Sequence, residues 1–159
     1  EDFPRAVTFR AAIRVNDYMP MSRRDMTELT GPRVAFERAF EQAGVTLDDI
    51  GFGEVHDCFT IAELMIYEAM GLKSKGKGSQ AVTEGTVMKG GRLPINLSGG
   101  LKAKGHPVGA TGVSMHVMAA RQVTGTADDM QAERSDLGMV FNMGGSGVAN
   151  YCSLLESAK

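Results

Sequence analysis

Val7, Phe9, Ala11, Ile13 and Val15 alternate with Thr8, Arg10, Ala12 and Arg14, a period of two that predicts a strand over residues 6–15. Residues 16–30 are polar and Met-rich, contain Pro20, and predict a loop. The spacing then changes. Val34, Ala35, Phe36, Ala39, Phe40 and Ala43 form a helical stripe, opened by Thr30-Gly31-Pro32 and stopped by Gly44. Residues 50–55 predict a short buried strand. Thr60-Ile61-Ala62-Glu63 has the form of a capping box, the apolar run from Ile61 to Met70 follows it, and Gly71 ends that helix. Residues 73–91 form a Gly/Ser/Lys-rich stretch that reads as a long loop. After it come a short strand, a helix over 108–123, and strands over 137–142 and 148–155 separated by Gly144-Gly145-Ser146-Gly147. This order predicts one α/β domain over residues 1–159, with the last two strands paired as a hairpin on a mixed sheet.

Composition narrows the class. Of 159 residues 43% are hydrophobic and 23% charged, the balance of a globular chain with a core. A net charge of -2 and no dense run of Lys or Arg argue against a nucleic-acid partner. No apolar stretch approaches the roughly 20 residues of a membrane span. The two cysteines, Cys58 and Cys152, form no C-x-x-C pair, so neither a disulfide framework nor a metal site is expected, and a reducing, cytoplasmic setting is. The chain begins Glu1-Asp2-Phe3-Pro4 without an initiator Met or a signal pattern, and reads as a piece of something longer.

Three places carry candidate chemistry. His56-Asp57-Cys58-Phe59 lies between a short strand and a helix, where α/β proteins place ligands. A thiol there transfers protons if an imidazolium or the helix N-terminus lowers its pKa; a buried small Cys and a satisfied core His fit the same letters. The second place is Asn96-Leu97-Ser98-Gly99-Gly100, followed by Gly105-His106-Pro107-Val108-Gly109-Ala110-Thr111-Gly112. His106, between Gly and Pro and ahead of a small-residue helix start, is a candidate general base or oxyanion donor. The glycine spacing fits neither the P-loop nor the dinucleotide fingerprint. The third is Asn142-Met143-Gly144-Gly145-Ser146-Gly147, a hairpin turn whose bare amides could also line an oxyanion hole. His116 reads as a packing or surface residue, and Cys152 as core. Lys73, Lys77, Lys102 and Lys104 read as solvated, with phosphate contact by Lys102 or Lys104 as the minor alternative.

Taken together these strings resemble the thiolase superfamily, and the Gly-His-Pro loop matches almost residue for residue. The usual Asn-Glu-Ala-Phe loop stands here as His56-Asp57-Cys58-Phe59, and the usual late Cys-x-Gly as Asn142-Met143-Gly144. That paired departure is similar to the sterol-carrier-protein-linked thiolases. The resemblance implies the C-terminal half of a thiolase: a mixed five-stranded sheet with helices on both faces. It implies His106 as the base for a nucleophilic cysteine, Cys58 as the α-carbon proton carrier, His56 polarising a thioester oxygen, and Gly144 as an amide donor. It also implies Asn142, Ser98, Gly99 and Pro107 against the substrate. Acyl-CoA and coenzyme A are the implied partners, as substrate and product rather than cofactor, together with an N-terminal thiolase half and a homo-oligomer. Neither cysteine matches the family nucleophile, so the isolated chain is expected to be inactive. Two other functions stay open: a retro-aldolase on coenzyme A esters of steroid side chains, and a non-catalytic acyl-CoA or lipid-binding module.

Overall fold

The computed structural model describes residues 3–158. Four strands, β1 (Val7–Asn16), β2 (Phe52–Val55), β3 (Leu137–Gly144) and β4 (Ala149–Ser157), form one sheet in the order β1-β4-β3-β2. β4 runs antiparallel to both neighbours and β2 parallel to β3, so the sheet is mixed. The helices are α1 (Thr30–Ala43), α2 (Thr60–Ala69), α3 (Gly78–Thr83), α4 (Gly100–Lys104) and α5 (Thr111–Val123).

Alternation along β3 divides the core. Met139, Phe141 and Met143 face α1 and α2, packing with Phe36, Ala39 and Ile66. Val140 faces the other side, where Phe52, Met115, Ala119 and Leu155 enclose it under α5. Helices thus cover both faces. No helix among the described residues is long and apolar enough to cross a membrane.

The expected fifth strand is not there. Its segment is reduced to a single parallel bridge, Gly53 to Ile95. Pro94 has no N–H to continue a ladder, and Asn96 turns left-handed at φ 54, so pairing stops on both sides of Ile95. The alternation expected along β1 also breaks. A bulge at Arg10 shifts the register between Phe9 and Ala11. Ala11, Ile13 and Val15 pack on the α1 face, whereas Val7 packs with the α5 cluster and the Phe9 ring lies 5.7 Å from that of His116, tilted at 48°.

Residues 73–91 are not a plain loop, because α3 lies within them. Gly78, read as a loop former, is a packing residue: a Cβ there would sit 2.2 Å from the Leu64 carbonyl oxygen, and its N–H donates to Glu68 at 2.7 Å. The capping box expected at Thr60 does not form. The Glu63 carboxylate instead accepts from the Tyr67 hydroxyl at 2.8 Å and from Lys102. Helix α5 begins at Thr111 rather than Val108, whose side chain is 90% exposed.

Candidate functional site

β2 ends at Val55, and the four residues His56, Asp57, Cys58 and Phe59 link it to the start of α2 at Thr60. His56 is 4% exposed and donates its backbone N–H to Phe141 at 2.9 Å, which fixes it against β3. Asp57 points the other way, into the loop that carries His106. Its Oδ1 accepts from the Leu101 N–H at 2.8 Å and its Oδ2 from that of Lys102 at 3.5 Å, so it holds the first turn of α4. Asn96 adds a second tie, its Oδ1 accepting the Val55 N–H at 2.8 Å. Two chain segments some forty residues apart are thereby fastened together by buried polar contacts.

The fastening brings the imidazoles of His56 and His106 to 4.9 Å between ring centres, edge to face at 80°. Both line one open cavity of about 1250 Å³, together with Cys58, Asn142, Gly144 and Gly145. His106 Nδ1 lies 2.7 Å from the Thr111 hydroxyl, which lies 3.2 Å from the Pro107 carbonyl. With the Thr111 proton turned to that carbonyl, its oxygen accepts from Nδ1–H, which leaves Nε2 as the basic nitrogen.

Two polar atoms in this cavity are buried without a partner among the described residues: His56 Nδ1 and Asn142 Oδ1. The two residues sit close enough for the Asn142 side chain to favour the charged His56 ring, and neither atom makes a well-formed hydrogen bond, so both are open to a ligand's polar group. Burial pushes the His56 pKa down, and the neighbouring His106 adds to it against the pull of Asn142 and Asp57. Burial likewise pushes the Cys58 thiol up, against hydrogen bonds from the Phe59 and Cys58 amides that favour the thiolate. Burial outweighs any lowering that an imidazolium or the helix N-terminus could supply, and favours the protonated thiol.

The family model for the thiolase C-terminal domain-like family matches residues 12–157. An acetyl-CoA acetyltransferase of Methanothermobacter thermautotrophicus is 42% identical over 125 residues, 79% of this chain and 33% of that protein. Rabbit (Oryctolagus cuniculus) sterol carrier protein 2 is 36% identical over 148 residues, 93% of this chain and 25% of that protein. The chain belongs to the thiolase C-terminal domain family. It is of the type shared with sterol carrier protein 2, and it spans a third or less of the length of these two curated relatives. Among solved structures, a chain of an "Ltp2-ChsH2(DUF35) aldolase" matches 96% of this thiolase domain and 40% of its own length, with a TM-score of 0.84 at 23% identity, a likeness of fold.

Within the thiolase domain the expected site residues divide into two groups. His56, Cys58, His106, Asn142 and Gly144 line the cavity. Ser98, Gly99 and Pro107 are outside the lining: Ser98 is bonded to Glu54, Gly99 precedes α4, and Pro107 gives its carbonyl to Thr111. Lys102 and Lys104, read as solvated, pair with Asp57 and Glu63 and with Glu54 respectively. Glu54 and Thr111 were missed as supports. The available signals were a carboxylate two residues before His56, inside a strand buried throughout, and a hydroxyl one turn after the Gly-His-Pro string. His116, read as packing or surface, also reaches the cavity, with Nδ1 2.6 Å from the Gly112 carbonyl and Nε2 3.2 Å from the Ser153 hydroxyl.

A pH dependence of stability follows from the neutral, buried His56. A depressed folded pKa means the unfolded state takes up the proton first as pH falls. The contribution of His56 is complete above the unfolded value of about 6.5 and is lost as pH drops from there through the folded value. In thermal unfolding of the full-length protein, wild type should lose stability on acidification more steeply than His56→Gln, by up to about 1.4 kcal/mol per pH interval of one. Parallel curves would show that the imidazole is not held neutral.

Proposed function

We propose that the full-length protein is a thiolase-type acyltransferase that cleaves or forms the carbon–carbon bond beside a coenzyme A thioester, with no bound cofactor. The observation that supports it is the meeting of His56, His106, Cys58 and Gly144 in one cavity. Neither cysteine here is a ready nucleophile. Cys152 is fully buried with its thiol pushed far up, and Cys58 is protonated. The attacking thiolate therefore comes from outside these residues, and His106 Nε2 removes its proton. The thiolate adds to the 3-keto carbon of a 3-ketoacyl thioester, with the Gly144 amide at the oxyanion. Collapse breaks the C2–C3 bond and leaves an acyl-enzyme and an enolate, whose oxygen is held by the two imidazoles. Cys58 gives its proton to the enolate carbon and releases the shortened thioester. Coenzyme A then returns a proton to Cys58 and its sulfur displaces the acyl group. A thiol held protonated at rest suits the cleaving direction, because it is loaded for this donation.

The test uses Cys58→Ala in the full-length protein, with two separate readings. Exchange of solvent deuterium into the α-carbon of the product thioester should fall by about 10³-fold, whereas covalent acyl-enzyme from a simple acyl-CoA should still accumulate. Exchange at the wild-type rate would remove Cys58 from its role. Absence of any acyl-enzyme in wild type would overturn the acyltransferase reading in favour of the retro-aldolase or the binding module.

A further inference from the structure

Glu54 is 2% exposed, lies within β2, and is two residues from His56, yet its side chain contributes nothing to the cavity. Its carboxylate is directed at the two ends of the segment that delivers His106. At the near end, Oε2 accepts from the Ser98 hydroxyl at 2.6 Å and Oε1 from the Ser98 N–H at 3.3 Å. At the far end, the Lys104 ammonium lies 3.5 Å from Oε2 and also bonds the Ser98 hydroxyl. Between Ser98 and Lys104 run Gly99 and the rest of helix α4, whose last residue is Lys104, and only Gly105 separates Lys104 from His106. A carboxylate so deep is expensive to bury, and burial raises its pKa against the pull of Ser98 and Lys104. A neutral glutamine would bridge Ser98 at lower desolvation cost, so the charge calls for a reason beyond filling space.

We propose that Glu54 is a positioning residue for His106, a buried clasp that closes the Ser98–Lys104 segment and thereby sets where the imidazole stands in the cavity. The proposal rests on His106 being the general base, but its test is readable without that. Asp57 ties only the start of α4. Without the clasp, Gly105 keeps its N–H bond to the Leu101 carbonyl at 2.8 Å, so the end of α4 moves with Gly105 and His106 about the Asp57 tie, and the His106 ring keeps its contacts with Thr111 and His56 but loses its fixed base.

In the full-length protein, Glu54→Gln and Lys104→Gln are compared with wild type by nitrogen NMR of the His106 ring and by thiolysis kinetics. Lys104 is the safer variant for folding, since its side chain is partly exposed. Wild type should show one tautomer with Nε2 unprotonated. Both variants should show a tautomer mixture, with kcat lowered about 10- to 100-fold, KM changed less than about threefold, and Lys104→Arg restoring most of the loss. A wild-type His106 signal in folded Lys104→Gln overturns the clasp. So does a signal that shifts while kcat per acylated site holds. A shifted ring signal in a protein without thiolytic activity upholds the clasp and sinks only the acyltransferase reading.

Discussion

Replacing His106 by Ala in the full-length protein should lower kcat for thiolysis by about 10³-fold and, unlike Cys58→Ala, should abolish accumulation of acyl-enzyme as well. In the proposed mechanism the two groups move different protons: Cys58 handles only the one at the α-carbon, whereas His106 first generates the attacking thiolate, so without it neither half of the reaction would start. Thr111→Val refines the test. The Thr111 hydroxyl is the partner of Nδ1 at 2.7 Å, and a methyl in its place removes the acceptor that keeps the proton there. The base remains but spends part of its time as the other tautomer. A loss of about 10-fold is expected. Full activity in Thr111→Val would mean the tautomer is fixed by something else. Full activity in His106→Ala would remove the base from the mechanism.

The cavity residues were legible for a chemical reason. His between Gly and Pro, and His-Asp-Cys-Phe at a strand end, are combinations that local folding does not require, and each lies where its string placed it. The residues that hold them were less legible, because a tie between Asp57 and the Leu101 amide, or between Glu54 and Lys104, is a contact across some forty to fifty positions that leaves no periodic trace. Element types survived where the apolar stripe was long, as in α1. They failed where one residue overrides a pattern: Pro94 stops a ladder, and an extra Arg10 turns half of β1 over. Gly78 carries two readings, loop former and close-packing residue, and only the Leu64 carbonyl beside it decides between them.

The tie at Asp57 yields the second large effect, on stability. Asp57→Ala leaves the Leu101 and Lys102 amides without their acceptor in a buried place and should cost about 3 kcal/mol. Gly100→Ala should cost a similar amount for a different reason. Its φ of 62 is left-handed, and a Cβ there would sit 2.3 Å from Asp57 Oδ2. The added methyl cannot be relieved by rotating the carboxylate, because its other oxygen is engaged by Leu101. The two costs therefore meet in the same space. Removing the carboxylate empties the volume the methyl needs, so the double variant should fall short of the sum of the single losses by about 1–2 kcal/mol. Amide exchange at Leu101 and Lys102 should be fast in both single variants, which ties the energy to the start of α4. Strict additivity with slow exchange at those amides would mean that Asp57 does not hold α4, and the two candidate loops would need another reason to meet.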